Sequence, residues 1–309
     1  MTSEHGHHPQ LLRGISLIML AVFLFSAMDT LAKFALRSYP PGPLIWARYS
    51  VHTAFMLTLL APRMGLRLLR TSRPAAQVMR GLLLVASTGF FYLALRHLPL
   101  AEAAAISFVA PVLVTALSGP MLNERVTRRQ WGAIMLGFLG VLVIMRPGGG
   151  LLKPAALFPL GSALAFAFYQ IMTGKLAGRE NPLTTLFFTA LVGTVATSLL
   201  LPFTWQTPTL MQAGLMLAIG CLGGFGHFLL IRAVEIASPT TLAPFIYTQL
   251  VWSTLLALVA FGEFPDLASL FGMLVIIAAG LLAVNWQRAG VGVRVTQKAS
   301  MQRLPQETP

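Results

Sequence analysis

The sequence predicts an all-α integral membrane protein: ten transmembrane helices, arranged as two inverted five-helix repeats. Three observations predict it. The 309 residues are 56% hydrophobic and only 10% charged, with a mean hydropathy of +0.75, whereas soluble domains carry about 25% charged residues. Apolar runs such as Ala103–Leu122, Leu183–Leu201 and Leu267–Trp286 match the roughly 20 residues a helix needs to cross the hydrocarbon. Finally, Tyr92-Leu-Ala-Leu-Arg96, Glu124, Gly132 and Gly140 recur as Phe228-Leu-Leu-Ile-Arg232, Glu263, Gly272 and Gly280. The offset is 136 at the Arg, 139 at the Glu and 140 at both glycines. Each half holds five spans, and an odd number turns the second copy upside down relative to the first.

Helices follow from the solvent. In lipid every backbone polar group needs an internal partner, and the polar–apolar alternation of a membrane strand is absent from these runs. The expected spans are Leu12–Leu36, Pro43–Ala61, Ala76–Leu95, Leu100–Leu122, Arg129–Met145, Pro154–Leu176, Pro182–Leu201, Thr209–Ile231, Pro239–Phe261 and Leu267–Trp286. The first run lacks a small-residue cleavage site and continues into Asp29 and Lys33, so it is expected to be a retained span. Breaks fall at Tyr39-Pro40-Pro41-Gly42, at Pro147-Gly148-Gly149-Gly150 and at Asn181-Pro182, where missing donors and permissive glycine stop helices. Residues 11–146 and 154–286 are the expected repeats and 147–153 the linker, with polar tails at 1–10 and 287–309.

Orientation follows from the cations. With the N-terminus inside, sixteen Lys and Arg fall on the inner side, from Arg13 through the Arg63–Arg80 group to Arg303. Four (Arg37, Arg96, Arg146 and Lys153) fall outside. That bias predicts the cytoplasmic membrane, an anionic inner leaflet as a lipid partner, and both termini cytoplasmic. The formal net charge of +13 does not imply nucleic acid, because no basic stripe interleaved with aromatics occurs on a soluble segment. Cys221 is the single cysteine, which excludes an internal disulfide and a thiolate cluster. His5, His7 and His8 lack a carboxylate or Cys framework, so neither a metal nor a cofactor is expected.

Charges within spans are costly, about 2.5–3.5 kcal/mol each, and mark candidate sites. Asp29 and Lys33, four apart, share a helix face. Arg48 shares one with His52, and Arg96 and Glu102 flank the outer turn before the fourth span. Together they are expected to form a paired cluster lining an outward vestibule, with Lys175, Arg232 and Glu235 as a solvated counterpart on the inner rim. Nearer the midplane are Ser26, His52, Ser107, Tyr169, Gln170, His227, Tyr247, Gln249 and Trp252. Polar groups beside aromatic rings suit a planar organic solute; the same residue types also serve interhelical hydrogen bonds. Asp29, Arg48, His52, Tyr169, Gln170, Tyr247, Gln249 and Trp252 are the expected solute contacts. Lys33, Glu102 and His227 are the expected gating or coupling groups, imidazole being able to carry a proton near neutral pH. Glu124 and Glu263 are read as architectural, Glu263 at a helix start. The pairs Gly132/Gly140 and Gly272/Gly280 are eight apart and let the last helices of the repeats approach. Pro111 is expected to kink the fourth span.

These motifs carry a resemblance. Ala104-Ala105-Ile106-Ser107-Phe108-Val109-Ala110-Pro111, then Leu122-Asn123-Glu124-Arg125-Val126-Thr127 and Gln130-Trp131-Gly132, with Ala243-Pro244-Phe245-Ile246-Tyr247 and Phe261-Gly262-Glu263-Phe264-Pro265-Asp266, resemble the EamA branch of the drug/metabolite transporter superfamily. The set covers nearly the whole chain. The resemblance implies a ten-helix carrier of two EamA repeats, and the Ser26–Lys33 and Phe261–Asp266 segments look most like bacterial members assigned to vitamin or S-adenosylmethionine uptake. The expected function is a secondary transporter moving a small organic metabolite (vitamin, nucleoside-like or amino-acid-like) by alternating access, with a homodimer left open. An intramembrane enzyme acting on a lipid-linked substrate, or a channel, is the alternative. Against the enzyme, no His-Glu-x-x-His, no Gly-x-Ser-x-Gly and no paired aspartates at depth occur, and without a Walker A pattern ATP is not expected to drive the transport directly. Against the channel, polar residues are sparse and dispersed.

Overall fold

Proline and asparagine set where several helices begin. Pro41, Pro74 and Pro182 each occupy a first helical turn, where the missing N–H costs nothing. Asn181 caps its helix by accepting from the Leu183 and Thr184 amides. The computed structural model describes residues 7–122, 127–145, 154–176, 179–236, 242 and 245–282. In chain order the helices are α1 (His7–Ala35), α2 (Pro41–Met64), α3 (Pro74–His97), α4 (Leu100–Ser107), α5 (Ala110–Leu122) and α6 (Arg128–Met145). They continue as α7 (Leu157–Leu176), α8 (Pro182–Thr204), α9 (Leu210–Ile236), α10 (Thr248–Phe261) and α11 (Leu267–Leu282).

Among the described residues seven helices are long and apolar enough to cross a membrane, and Trp131–Ile144, Thr248–Phe261 and Leu267–Leu282 are shorter apolar helices, ten membrane-type helices together. α4 and α5 together make the fourth, broken at Phe108–Val109. The break has the expected cause: Pro111 cannot donate to the Ser107 carbonyl, and the Phe108 amide is shared between the Ala104 and Ala105 carbonyls. Large apolar residues cover the outside; Phe203 is 86%, Val259 84% and Leu210 92% exposed. A surface of that kind suits acyl chains rather than water.

Packing between the halves obeys a pseudo-twofold. The main contacts are α1 with α9, α3 with α7, α2 with α8, α2 with α9, α3 with α8, α1 with α10, and α5 with α7. Counted as spans, first–eighth maps onto sixth–third when the halves are exchanged. Second–eighth maps onto seventh–third, first–ninth onto sixth–fourth, and second–seventh onto itself. Two five-helix units related by a twofold, one inverted in the bilayer relative to the other, produce this pattern.

The connections sort to two ends. At one, the Tyr39 hydroxyl donates to the Gln206 carbonyl and Lys33 reaches the 98–100 and 262–266 turns. At the other, the Ser72 hydroxyl and amide donate to Glu180 at 2.7 and 2.8 Å. These donors hold the Glu180 carboxyl below its ordinary value. The tether is therefore present at neutral pH and is lost as pH falls through that lowered value.

The last helices of the repeats do cross, but by a different glycine pair from the spacing alone. A Cβ on Gly140 would lie 2.9 Å from the Gly272 carbonyl, and one on Gly272 would lie 2.8 Å from the Gly140 carbonyl. Gly132 faces open space, and Gly280 receives the Tyr247 ring. Glu124, Pro244, the 147–153 linker and the side chains of His5, His7 and His8 lie outside the described residues.

Candidate functional site

One face of α1 carries two charges that part company. Lys33, near the Tyr39 end, donates to Glu263 at 2.6 and 2.9 Å and to the Leu98 carbonyl at 3.0 Å. It does not pair with Asp29, as their spacing on one helix allowed. Glu263 is thereby more than a helix-start residue. The capping role belongs to Asp266, whose carboxylate accepts from the Ser269 amide at 2.9 Å. Glu102 on α4 also lies within electrostatic reach of Lys33. A cavity of about 420 Å³ at this end is lined by Lys33, Arg37, Arg96, His97 and Glu263 among others. The expected outward vestibule therefore contains Lys33 and Arg96 but neither Asp29 nor Arg48.

The Lys33–Glu263 pair joins α1 to the α10–α11 turn, the carboxylate being 30% exposed. Lys33→Met should lower stability by roughly 1–3 kcal/mol, less than for a fully buried pair because water reaches Glu263. Thermal unfolding in detergent measures this, and the exchange Lys33→Glu with Glu263→Lys should recover part of the loss. Equal loss in single and double variants would argue against the pairing.

Asp29, one turn deeper, is buried and lies within electrostatic reach of Arg48 on α2. Arg48 sits by Met28 and Gly223, its guanidinium 5.8 Å from the Tyr49 ring centre and close to Tyr92 of α3. His52, one turn along α2, stacks on His227 of α9 with ring centres 5.5 Å apart and planes 5° from parallel. Gly224 permits that approach: a Cβ there would stand 3.2 Å from His52 Cδ2. Phe25 closes on His227 from α1 at 4.8 Å. His52 Nε2 is buried and has no hydrogen-bond partner among the described residues, while the Tyr92 hydroxyl lies beside the Arg48 guanidinium. Buried polar atoms are normally paired, so the free His52 nitrogen marks this group as a candidate site.

A second group adjoins this one. Tyr49 shares a hydrogen bond with Thr88 at 2.9 Å, and Tyr169 of α7 accepts from Arg80 at 2.8 Å. Both arginines act electrostatically on His227. Asp29, Arg48, His52, His227 and Tyr169 thus come together where α1, α2 and α3 of the first repeat meet α7 and α9 of the second.

The remaining expected contacts do not join them. Gln170 is exposed, a 100° helical step away from Tyr169. Tyr247 lies against Phe108 at 5.6 Å and against Gly280, beside the break in the fourth span. Gln249 accepts from Ser26 through its backbone carbonyl, and Trp252 packs edge-on to Phe23 at 5.1 Å. Gln249 and Trp252 thus pack α10 on α1, and the Tyr247 hydroxyl and Trp252 Nε1 are buried without a hydrogen-bond partner among the described residues. At the opposite rim Arg232 and Glu235 pair at 2.8 Å while about half exposed, as a solvated rim requires.

Two participants escaped the sequence reading. Arg80, counted among loop cations, lies nearly two turns inside α3 and is 4% exposed; Pro74, at the start of α3, was the available signal. Tyr92 had served only as a repeat marker.

The two halves of the chain, residues 12–146 and 153–285, each match the model of the EamA-like transporter family. The chain belongs to that family. It is 28% identical over 282 residues to the S-adenosylmethionine uptake transporter of Rickettsia bellii, covering 91% of this chain and 97% of that one. It is 26% identical to the riboflavin transporter of Vibrio cholerae, covering 91% and 95%. The pseudopaline exporter CntI of Pseudomonas aeruginosa is 28% identical, covering 86% and 94%. A solved crystal structure shares the fold with a TM-score of 0.63, covering 89% of this chain and 98% of its own at 20% identity. This EamA-like protein is therefore a multi-pass membrane protein whose relatives move small metabolites in either direction.

Proposed function

We propose that this EamA-like protein is a secondary carrier that moves a small, polar organic metabolite by alternating access. The observation that carries the reading is the Asp29–Arg48–His52–His227 group at the contact between the repeats, Asp29 and His52 being buried and Arg48 and His227 half-buried. Charges so placed are expensive in a membrane and persist where they serve a solute or ion. Asp29 and Arg48 offer an acceptor and a planar donor fork, and His52 adds a ring nitrogen without a hydrogen-bond partner among the described residues. Uptake of S-adenosylmethionine or riboflavin and export of pseudopaline by the relatives support a metabolite as cargo. The basic residues support a cytoplasmic membrane with both termini inside. Lys33, bound to Glu263, closes the Tyr39 end in this reading.

Purified protein in proteoliposomes tests it, with S-adenosylmethionine, riboflavin and amino acids as labelled probes, with and without a pH gradient. Saturable flux and counterflow are expected for at least one. Chemical turnover without vectorial movement would instead indicate an enzyme, and non-saturating flux a channel.

A further inference from the structure

The Glu180 end holds a cation that the proposed solute site does not use. Arg80 leaves α3 of the first repeat and is gripped by the second. Its Nε donates to Thr173 Oγ1 at 2.7 Å, and one terminal nitrogen donates to the Thr185 carbonyl at 2.8 Å and Thr189 Oγ1 at 2.6 Å. The other donates to the Tyr169 hydroxyl at 2.8 Å, and the guanidinium lies 4.6 Å from that ring's centre. Gln77, nearly one turn away on α3, donates to Thr185 at 3.2 Å. Among the described residues no carboxylate pairs with Arg80. Neutral hydroxyls and a carbonyl satisfy it, so each contact is individually exchangeable with water.

The opposite end is built alike. There Lys33 of the first repeat is held by Glu263 of the second. One cation of the first half is therefore tied to the second half at each end of the molecule, with the buried polar group between them. Rocking of one repeat against the other must separate such contacts at one end while keeping them at the other.

We propose that Arg80 is the latch of the Glu180 end: its bonds to Thr173, Thr185, Thr189 and Tyr169 hold that end shut, and their release admits the solute or lets it leave there. The proposal rests on the alternating-access reading. It assigns Arg80 a gating role, distinct from solute contact, and it makes the two ends oppose each other. A ligand or contact that favours one closed end shifts the population away from the other.

The test needs no known solute. Thr88 lies on the Arg80 face of α3, two turns deeper, and is 3% exposed. In a Cys221→Ser background, Thr88→Cys is labelled with a membrane-impermeant maleimide in right-side-out and inside-out vesicles. Arg73→Cys, an exposed position, identifies which side the Glu180 end faces. Arg80→Gln should raise the labelling rate from that side about tenfold and leave it unchanged or lower from the other, with Arg80→Lys between. Thr173→Val with Thr189→Val, which keeps the arginine but removes two acceptors, should act in the same direction. Equal increases from both sides would mean a loosened bundle, and no change from either would mean a static staple; both overturn the latch. Either result leaves the carrier reading standing, because saturable flux in proteoliposomes tests that separately.

Discussion

Arg48→Ala abolishes saturable flux of the metabolite identified in the proteoliposome screen, and Asp29→Asn does nearly as much, while protein yield stays close to wild type. The magnitude follows from where the pair sits. Asp29 is 6% exposed and within electrostatic reach of Arg48. Losing a hydrogen bond to a charged group costs about 1.5–3 kcal/mol, so apparent affinity for the solute should fall on the order of 10- to 100-fold. Arg48→Lys separates charge from geometry. It keeps the cation but loses the planar fork, so it should recover only part of the activity. Flux within about twofold of wild type in all three variants would remove this pair from the site. Thermal shift by the same metabolite provides the independent measurement, since a ligand that binds the folded state raises its melting temperature.

Gly140→Val unfolds the protein at a markedly lower temperature, whereas Gly132→Val is neutral. A Cβ on Gly140 would lie 2.9 Å from the Gly272 carbonyl and 3.1 Å from the Ile276 amide. Those are backbone atoms of α11, so the helices themselves must part. Overpacking of this kind costs about 1–3 kcal/mol or more, and close backbone approach is what small residues provide between helices in lipid. Gly132 meets no neighbour within 4 Å, and valine at that exposed edge has nothing to displace. Melting in detergent, followed by intrinsic fluorescence, distinguishes the two. Equal losses at both positions would mean that helix propensity, rather than the crossing, sets the effect.

Within the candidate site, the sequence was informative about which residues are costly and uninformative about whom they meet. A charge in an apolar run is visible without coordinates, and Asp29, Lys33 and Arg48 were found that way. Their partners were not. The spacing of Asp29 and Lys33 is compatible with mutual pairing, yet Lys33 finds Glu263 some 230 positions away. Gln170 and Tyr169 are neighbours in sequence but lie on different helix faces, a distinction that needs the helix's rotation. Arg80 was misread because a cation just inside a span and one just outside it look alike when only composition is counted. Burial at 4% by two threonine-bearing helices is a tertiary fact.

By itself the sequence determined the number of spans, the duplication and the break at Pro111, because hydrocarbon forbids unpaired backbone and an odd repeat must invert. Which helices touch was decided by the assembled bundle alone, since helix rotation and crossing depend on side chains meeting across long separations. Gly140 rather than Gly132 became the crossing point, and His52 came to face His227, for that reason. Periodicity names a helix and its apolar faces; only packing chooses the neighbour each face receives.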